Sequence, residues 1–363
     1  MTPITETLWK IEPHTQAKHE ILRRYLGAWF GIMGPINPNI LFIDGFCGPG
    51  KYVDGEAGSP IIALQTAISH HENNRINNAT FVFIDIDNTR IENLRVEISN
   101  LNIPSNFKVI VLANEFEETI SRLLDDIESK NGNLIPSFVF IDPFGFKGTP
   151  YKLVSRLLRN PKNEVFINIM AEPINRFLEH PDPQIRNHIS DLFGTDDVLK
   201  IIDSDGDRVK KLRDLYKKQL SKCARFVRYF EMRDGSNRVI YYLFFATNNR
   251  LGHAKMKQAL WDVDCQTGMC FSDATDPDQL TLFNVDPSNE ISSVLGKKYQ
   301  NQKVEMNRLI RYIEDETPFI ASQLRETLIR LEKDGKILVE LYKLDGKKRR
   351  KNAFTEDTVM KFL

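Results

Sequence analysis

The sequence predicts an α/β fold built on a mainly parallel sheet, and three observations predict it. Apolar runs at 40–43, 81–84 and 138–141 each end in a carboxylate, Asp44, Asp85 and Asp142. Such runs read as strands buried on both faces, the pattern of a parallel sheet. Helical periodicity fills the intervals, so strand and helix alternate as in βαβ units. The first run also passes directly into Gly45-Phe46-Cys47-Gly48-Pro49-Gly50. There the backbone must take positive φ and come close to a ligand without a Cβ in the way.

A helix is expected over 14–34, where Leu22, Tyr25, Leu26, Trp29, Phe30 and Met33 recur at helical spacing. Thr15 serves as its cap, with Lys18 and His19 in the first turns. A strand follows at 40–44, then a helix from Ser59-Pro60 to about His70; serine then proline is a normal N-cap and first helical position. The alternation continues with strand 80–85, helix 88–100, strand 107–112, helix 115–129, strand 136–141, helix 150–159 and strand 163–169. Strands 225–232 and 239–247 flank a hairpin turn, Asp234-Gly235-Ser236-Asn237, and a helix is expected at 253–261. Seven strands ending in a hairpin is the strand count of class I methyltransferases.

Residues 171–223 exceed one βαβ unit: Pro173, Pro181 and Pro183 precede a basic helical stretch at 208–222, which reads as a helical insertion. Residues 1–271 then form a Rossmann-like domain, and 272–300, rich in Asp, Ser, Asn, Pro and Gln, reads as a linker. Residues 301–363 read as a winged-helix-like domain, with a helix at 303–314, a turn at Thr317-Pro318-Phe319, a helix at 321–334 ended by Gly335, and short strands at 337–342 and 353–355. Between those strands lies a basic tip, Lys347, Lys348, Arg349, Arg350 and Lys351, the best nucleic-acid footprint in the chain.

The bulk numbers exclude several classes. Hydrophobic residues make up 41% and charged residues 27% of 363, which fits a globular protein with a sizeable core. Net charge is zero, so any basic surface is local. No apolar run approaches the about 20 residues that span a bilayer. The first ten residues lack a basic-then-apolar leader, and four cysteines give no disulfide framework, so a cytoplasmic protein is expected. Cys265 and Cys270 have no paired histidine motif, so no metal site is expected.

The glycine turn admits two chemistries. Gly45 through Lys51 fits the phosphate-loop spacing G-x-x-x-x-G-K, but Tyr52 stands where Ser or Thr would hold magnesium. The fingerprint G-x-G-x-x-G starts at Gly48 and Gly50 and breaks at Val53. Asp44 would repel a triphosphate and suits a cation instead. S-adenosylmethionine carries a sulfonium and an ammonium, so Asp44, Gly45, Gly48 and Gly50 are expected to bind it, with a phosphate-loop ATPase as the alternative. Asp85 is placed to accept hydrogen bonds from a ribose diol, while Asp87 with Asn88 is the alternative helix cap. Asn114 is placed at the adenine edge. Asp142-Pro143-Phe144-Gly145 is expected to carry the chemistry. Asp142 orients an exocyclic amine, the Pro143 carbonyl assists, and Phe144 stacks on a flat base.

Together these segments resemble the three-Cys-motif partner proteins (TcmP), a bacterial family. The matching residues are Trp9-Lys10, Glu12-Pro13-His14-Thr15, Lys18-His19, Tyr25-Leu26, Ile43-Asp44-Gly45-Phe46, Gly48-Pro49-Gly50, Tyr52, Gly58-Ser59-Pro60, Ala63-Leu64, Ile141 through Gly145, and Tyr242-Leu243 through Thr247. The match spans residues 9 to about 265, and Cys47 stands where alanine is more usual. The resemblance implies a partner, a three-cysteine-motif protein of radical-SAM type, and with it the alternative of a non-catalytic auxiliary role. The Asp-Pro-Phe-Gly turn is also similar to that of tRNA guanine-N2 dimethyltransferases, which implies an exocyclic amine on a nucleobase as methyl acceptor.

Overall fold

The computed structural model describes residues 7–71, 75–274, 286–342 and 346–363. They divide into two compact units, one formed by residues up to 259 with 269–274, the other by 260–268 and the residues from 286 onward. The chain runs α1 (Pro13–Ile36), β1 (Ile40–Asp44), α2 (Ser59–His71), β2 (Ala79–Asp85), α3 (Asn88–Ser99), β3 (Phe107–Ala113), α4 (Phe116–Ser129), β4 (Ser137–Ile141), α5 (Tyr151–Leu157) and β5 (Glu164–Ile169). It continues through α6 (Ala171–Phe177), α7 (Pro183–Phe193), a 3-10 turn (Asp196–Ile201), α8 (Arg208–Leu220), β6 (Phe226–Arg233), β7 (Val239–Thr247), α9 (Arg250–Val263) and β8 (Cys270–Ser272).

The sheet of the first unit has the order β3-β2-β1-β4-β5-β7-β6-β8. β1 to β5 are mutually parallel, and β7 lies antiparallel between β5 and β6. The sequence predicts seven strands; the structure adds an eighth, β8, paired with β6 from Glu231↔Cys270 to Arg233↔Ser272. Three residues are too short for alternation to reveal a strand. β1 and β4 are buried along their whole length, as both faces of the sheet are covered. On one face Phe42 stacks on Phe138 at 6.0 Å, and Trp29 of α1 packs on Phe138. On the other, Ile43, Val139, Ile141 and Val165 join a core with Ile120, Leu124 and Val154 of α4 and α5. With the strands fixed this way, the carboxyl ends of β1, β2 and β4 meet at one edge.

α1 begins at Pro13 with Glu12 as its cap residue, so Thr15 is inside the helix rather than at its cap. Proline at the first helical position sets the start, and the Thr15 amide bonds to the Glu12 carbonyl at 2.9 Å. α6, α7, the 3-10 turn and α8 fill the interval between β5 and β6 that the proline-rich, basic stretch occupies.

The second unit contains α10 (Ser288–Tyr299), β9 (Lys303–Glu305), α11 (Met306–Glu316), α12 (Ala321–Lys333), β10 (Ile337–Val339) and β11 (Val359–Phe362). Its sheet has the order β10-β11-β9. Part of the expected linker, 275–285, lies outside the described residues, but 288–299 is helical. Ile291, Leu295 and Tyr299 of α10 are buried with Leu309, Leu324 and Leu328, so its apolar face decides against a linker despite the polar composition. Residues 303–305, expected in a helix, form β9 with only Val304 buried. The second wing strand is Val359–Phe362 rather than 353–355, in register Ile337↔Phe362. In 353–355 only Phe354 is buried, and the period-2 burial that marks a strand falls on 359–362.

Candidate active site at the carboxyl edge of the sheet

The glycine turn is held by hydrogen bonds from its own amides. Gly45 N–H donates to Phe140 O and Cys47 N–H to Ile84 O, both at 2.9 Å. Phe46 N–H donates to Asp44 Oδ1 at 3.3 Å and Gly48 N–H to Asp85 Oδ2 at 3.0 Å. Gly48 and Gly50 have φ of 61° and 84°, a region that favours glycine. A Cβ on Gly45 would lie 2.5 Å from the Phe116 ring, so the strand end and α4 close up only around glycine.

Asp44 is fully buried, and its Oδ2 has no hydrogen-bond partner among the described residues. Burial pushes its carboxyl up to about 7, opposed by the Ser59 hydroxyl and the Phe46 amide and reinforced by the charges of Asp142 and Asp85. Asp85, expected to accept from a ribose diol, also holds the turn. Its Oδ2 accepts from Gly48 and its Oδ1 accepts from Asp87 N–H at 2.9 Å, so it organises the turn. Asp87 caps α3, accepting from Thr89 and Arg90 N–H.

Asp142 is engaged on both oxygens. Oδ1 accepts from Asn168 Nδ2 at 2.8 Å, and Oδ2 pairs with the Lys18 ammonium. Lys18 comes from the second turn of α1, and its Nζ sits 5.4 Å from the centre of the Tyr241 ring. His14 lies one turn earlier, with Nδ1 at 2.7 Å from Asp273 Oδ2 and Nε2 at 2.9 Å from Glu12. His19 is held neutral, its pKa lowered to about 3 by burial and by Lys18, with Asp142 opposing.

Two cavities open on either side of Phe144, whose ring is half exposed. The first, about 380 Å³, is lined by Gly45, Asp85, Ile86, Asn114, Phe116 and Phe144. The second, about 300 Å³, is lined by Trp9, His14, Lys18, Asp142, Asn168 and Tyr241, with Pro143 beside them. Trp9 packs edge-on against Phe144 and against Tyr52, both at 5.8 Å, and the Arg90 guanidinium lies 5.1 Å from the Trp9 ring.

The structure therefore brings Asp44, Gly45, Gly48, Gly50, Asp85, Asn114, Asp142, Pro143 and Phe144 to one edge, as the motifs suggest. Lys18, Asn168, Tyr241, Trp9 and Arg90 join them, and sequence reasoning gives none of these a site role. The one signal for Trp9 and Lys18 is the Trp9-Lys10 to Lys18-His19 segment within the family resemblance. Lys51 forms an ion pair with Glu97, away from the role a phosphate-loop lysine plays. Within the basic tip, Arg349 is a correction. Its side chain is buried against Phe354 and paired with Glu332, while Lys347, Lys348, Arg350 and Lys351 are exposed.

The first unit is a Rossmann-like sheet of the class I methyltransferase type, with a winged-helix unit following it. The family model for the GMT-like wHTH domain matches residues 270–341. No curated protein sequence matches the chain. Among solved structures the chain is similar to Trm1 from Pyrococcus horikoshii in complex with S-adenosyl-L-methionine, at 13% identity and TM-score 0.37, covering 72% of this chain and 61% of that one. It is also similar to human methyltransferase-like protein 13 in complex with SAH, at 11% identity and TM-score 0.36, covering 75% and 98%. An O-methyltransferase from Bacillus cereus in complex with SAH aligns at 16% identity and TM-score 0.34, covering 66% and 82%. The chain thus spans about three fifths of the Trm1 chain. These are likenesses of fold and assign no residue a role.

Proposed function

We propose that this chain is an S-adenosylmethionine-dependent N-methyltransferase acting on an exocyclic amine of a nucleic-acid base. The observation that carries the proposal is the Asp44 carboxyl, buried at the end of β1 with the Phe46 amide and the Ser59 hydroxyl beside it, with no hydrogen-bond partner for Oδ2 among the described residues, and with Asp85 and Asp142 close enough to raise its pKa. A buried carboxylate with so few donors around it is costly to ionise, and a cation is the ligand that relieves it. The amides of Phe46 and Gly48 already donate to carboxylates, which disfavours a phosphate in the same turn. Lys51, paired with Glu97, disfavours it further.

Asp44 and the glycine turn would hold the cationic end of the methyl donor, and Ile86 and Asn114 line the cavity suited to its adenine. When bound, S-adenosylmethionine supplies an electrophilic methyl group. The residues around Phe144 would then align the acceptor amine and exclude water while its nitrogen–carbon bond forms and the donor's sulfur–methyl bond breaks, the electron pair returning to sulfur, and Asp142 would take the proton that the amine sheds. Exposed Lys347, Lys348, Arg350 and Lys351 supply a basic surface for nucleic acid in the winged-helix unit. The resemblance to the TcmP family adds a three-cysteine-motif protein of radical-SAM type as a partner.

The test is calorimetric titration with S-adenosylmethionine and, in parallel, ATP. Binding of the methyl donor alone is expected, stronger as pH rises through about 7 because the cation needs Asp44 ionised. Binding of ATP alone, or of neither, would remove the methyltransferase reading. Donor binding with no transfer to DNA, RNA or protein would leave the auxiliary role.

A further inference from the structure

The second cavity carries a polar pattern that the proposed reaction does not yet use. Asn168 is buried in β5, and its Oδ1 has no hydrogen-bond partner among the described residues. Which amide atom is oxygen follows from chemistry. The Lys18-paired Asp142 carboxylate only accepts, so the atom 2.8 Å from it must be the Asn168 nitrogen. That leaves a buried acceptor, without a partner among the described residues, on a residue that lines a cavity together with Lys18. The ammonium has three donors, of which Asp142 takes one. An acceptor and a donor with spare capacity are thus held by the same Asp142 carboxylate, in a cavity lined by the rings of Trp9, His14 and Tyr241. A volume of about 300 Å³ is at the small end of ligand sites and suits one flat ring system.

We infer that this cavity is a base pocket in which Asn168 Oδ1 accepts a hydrogen from an exocyclic amine and Lys18 donates to the ring nitrogen beside that amine. The inference rests on the methyltransferase reading and gives it a specificity device. Adenine, cytosine and guanine each present an amine next to a ring acceptor, whereas thymine and uracil present no amine. Asp142, bonded on both oxygens, holds Asn168 and Lys18 in this arrangement. The orphaned Oδ1 is thereby the first acceptor for the amine. A base in a duplex reaches such a pocket only by leaving the stack, and the aromatic walls offset part of that cost.

The experiment uses the full chain saturated with SAH, so that the cofactor cavity is filled and its affinity is measured first. The probes are short oligothymidines carrying one central adenine, cytosine or guanine, beside plain oligothymidine, and the matching oligouridine set to separate DNA from RNA. At least one amino-bearing base should bind about tenfold or more tightly than the plain oligomer. In Asn168→Leu and Lys18→Met that preference should fall to within about twofold, while SAH affinity and binding of the plain oligomer persist. A purely structural role for Asn168 would instead lower all three together and would overturn the assignment. Equal binding of every oligomer by the wild-type chain overturns the base pocket whether or not the variants fold. Failure to bind SAH or S-adenosylmethionine at all overturns the methyltransferase reading, and the inference with it.

Discussion

Asp44 and Glu164 are carboxyls buried at opposite ends of the same sheet, Asp44 where β1 ends and Glu164 where β5 begins. Both are pushed up to about 7, and in both the first cause is loss of water. They differ in what surrounds the oxygens. Glu164 accepts from the Tyr25 hydroxyl at 2.5 Å and from Thr247 Oγ1 at 2.9 Å, and Gly252 packs so close that a Cβ there would collide with it. Asp44 has one long amide bond and the Ser59 hydroxyl beside it, and its Oδ2 has no hydrogen-bond partner among the described residues. A raised pKa therefore marks burial at both sites. The unfilled acceptor capacity marks the ligand end alone.

The largest expected effect is the one the two carboxyls share. Each binds its proton more tightly folded than unfolded, so its stabilising contribution is full below the unfolded value near pH 4 and is lost as pH rises through about 7. The first unit should therefore lose on the order of a few kcal/mol between pH 5 and pH 8, read as a falling urea midpoint. Asp44→Asn and Glu164→Gln should each be more stable than wild type at pH 8 and indistinguishable from it near pH 4. A midpoint that is flat with pH in the wild-type chain would show that neither group is as deeply desolvated as its surroundings imply.

Ligand affinity should then separate the pair. Asp44→Asn is expected to weaken S-adenosylmethionine binding about 100-fold, the scale of an ion pair lost from a buried site, while Glu164→Gln stays within about twofold. Equal losses in the two variants would mean that the sheet transmits damage from either end, and the contrast would fail. Tyr25→Phe sharpens it at a smaller scale. Removing that donor should cost about 1–2 kcal/mol of stability and leave S-adenosylmethionine binding unchanged, as measured by urea unfolding and calorimetry on one preparation.

How far the sequence reveals each end depends on how local the signal is. Asp44, Asp85 and Asp142 are legible because an apolar strand and its terminal acid are neighbours in the chain. Lys18, Asn168, Tyr241 and Asp273 come from α1, β5, β7 and the residues after β8, and meet only once the sheet is assembled. No spacing rule joins them. Asp85 is legible as a strand-end acid but its hold on the turn is not, because its partners there are backbone amides whose direction depends on the turn. Glu164 is invisible as a special carboxyl because its partners are remote: Tyr25 and Thr247 lie 139 and 83 residues away in the chain.

The winged-helix unit repeats the contrast with the charge reversed, and supplies the smallest effect. In sequence, Arg349 is one of five equivalent basic residues. In the structure it is spent on Glu332 and Phe354, while Lys348, Arg350 and Lys351 are exposed. Arg349→Ala should therefore lower the thermal midpoint of the second unit, since it strands Glu332 and removes packing. Replacing Lys348, Arg350 and Lys351 with alanine should leave that midpoint unchanged. It should instead weaken binding to single-stranded oligonucleotides and reduce the slope of its salt dependence by about 0.7 for each phosphate no longer neutralised. If Arg349→Ala alone removed the salt dependence at unchanged stability, satisfaction by partners would be the wrong criterion here. A buried, paired charge would then be reading phosphate, and the distinction drawn between Asp44 and Glu164 would lose its generality.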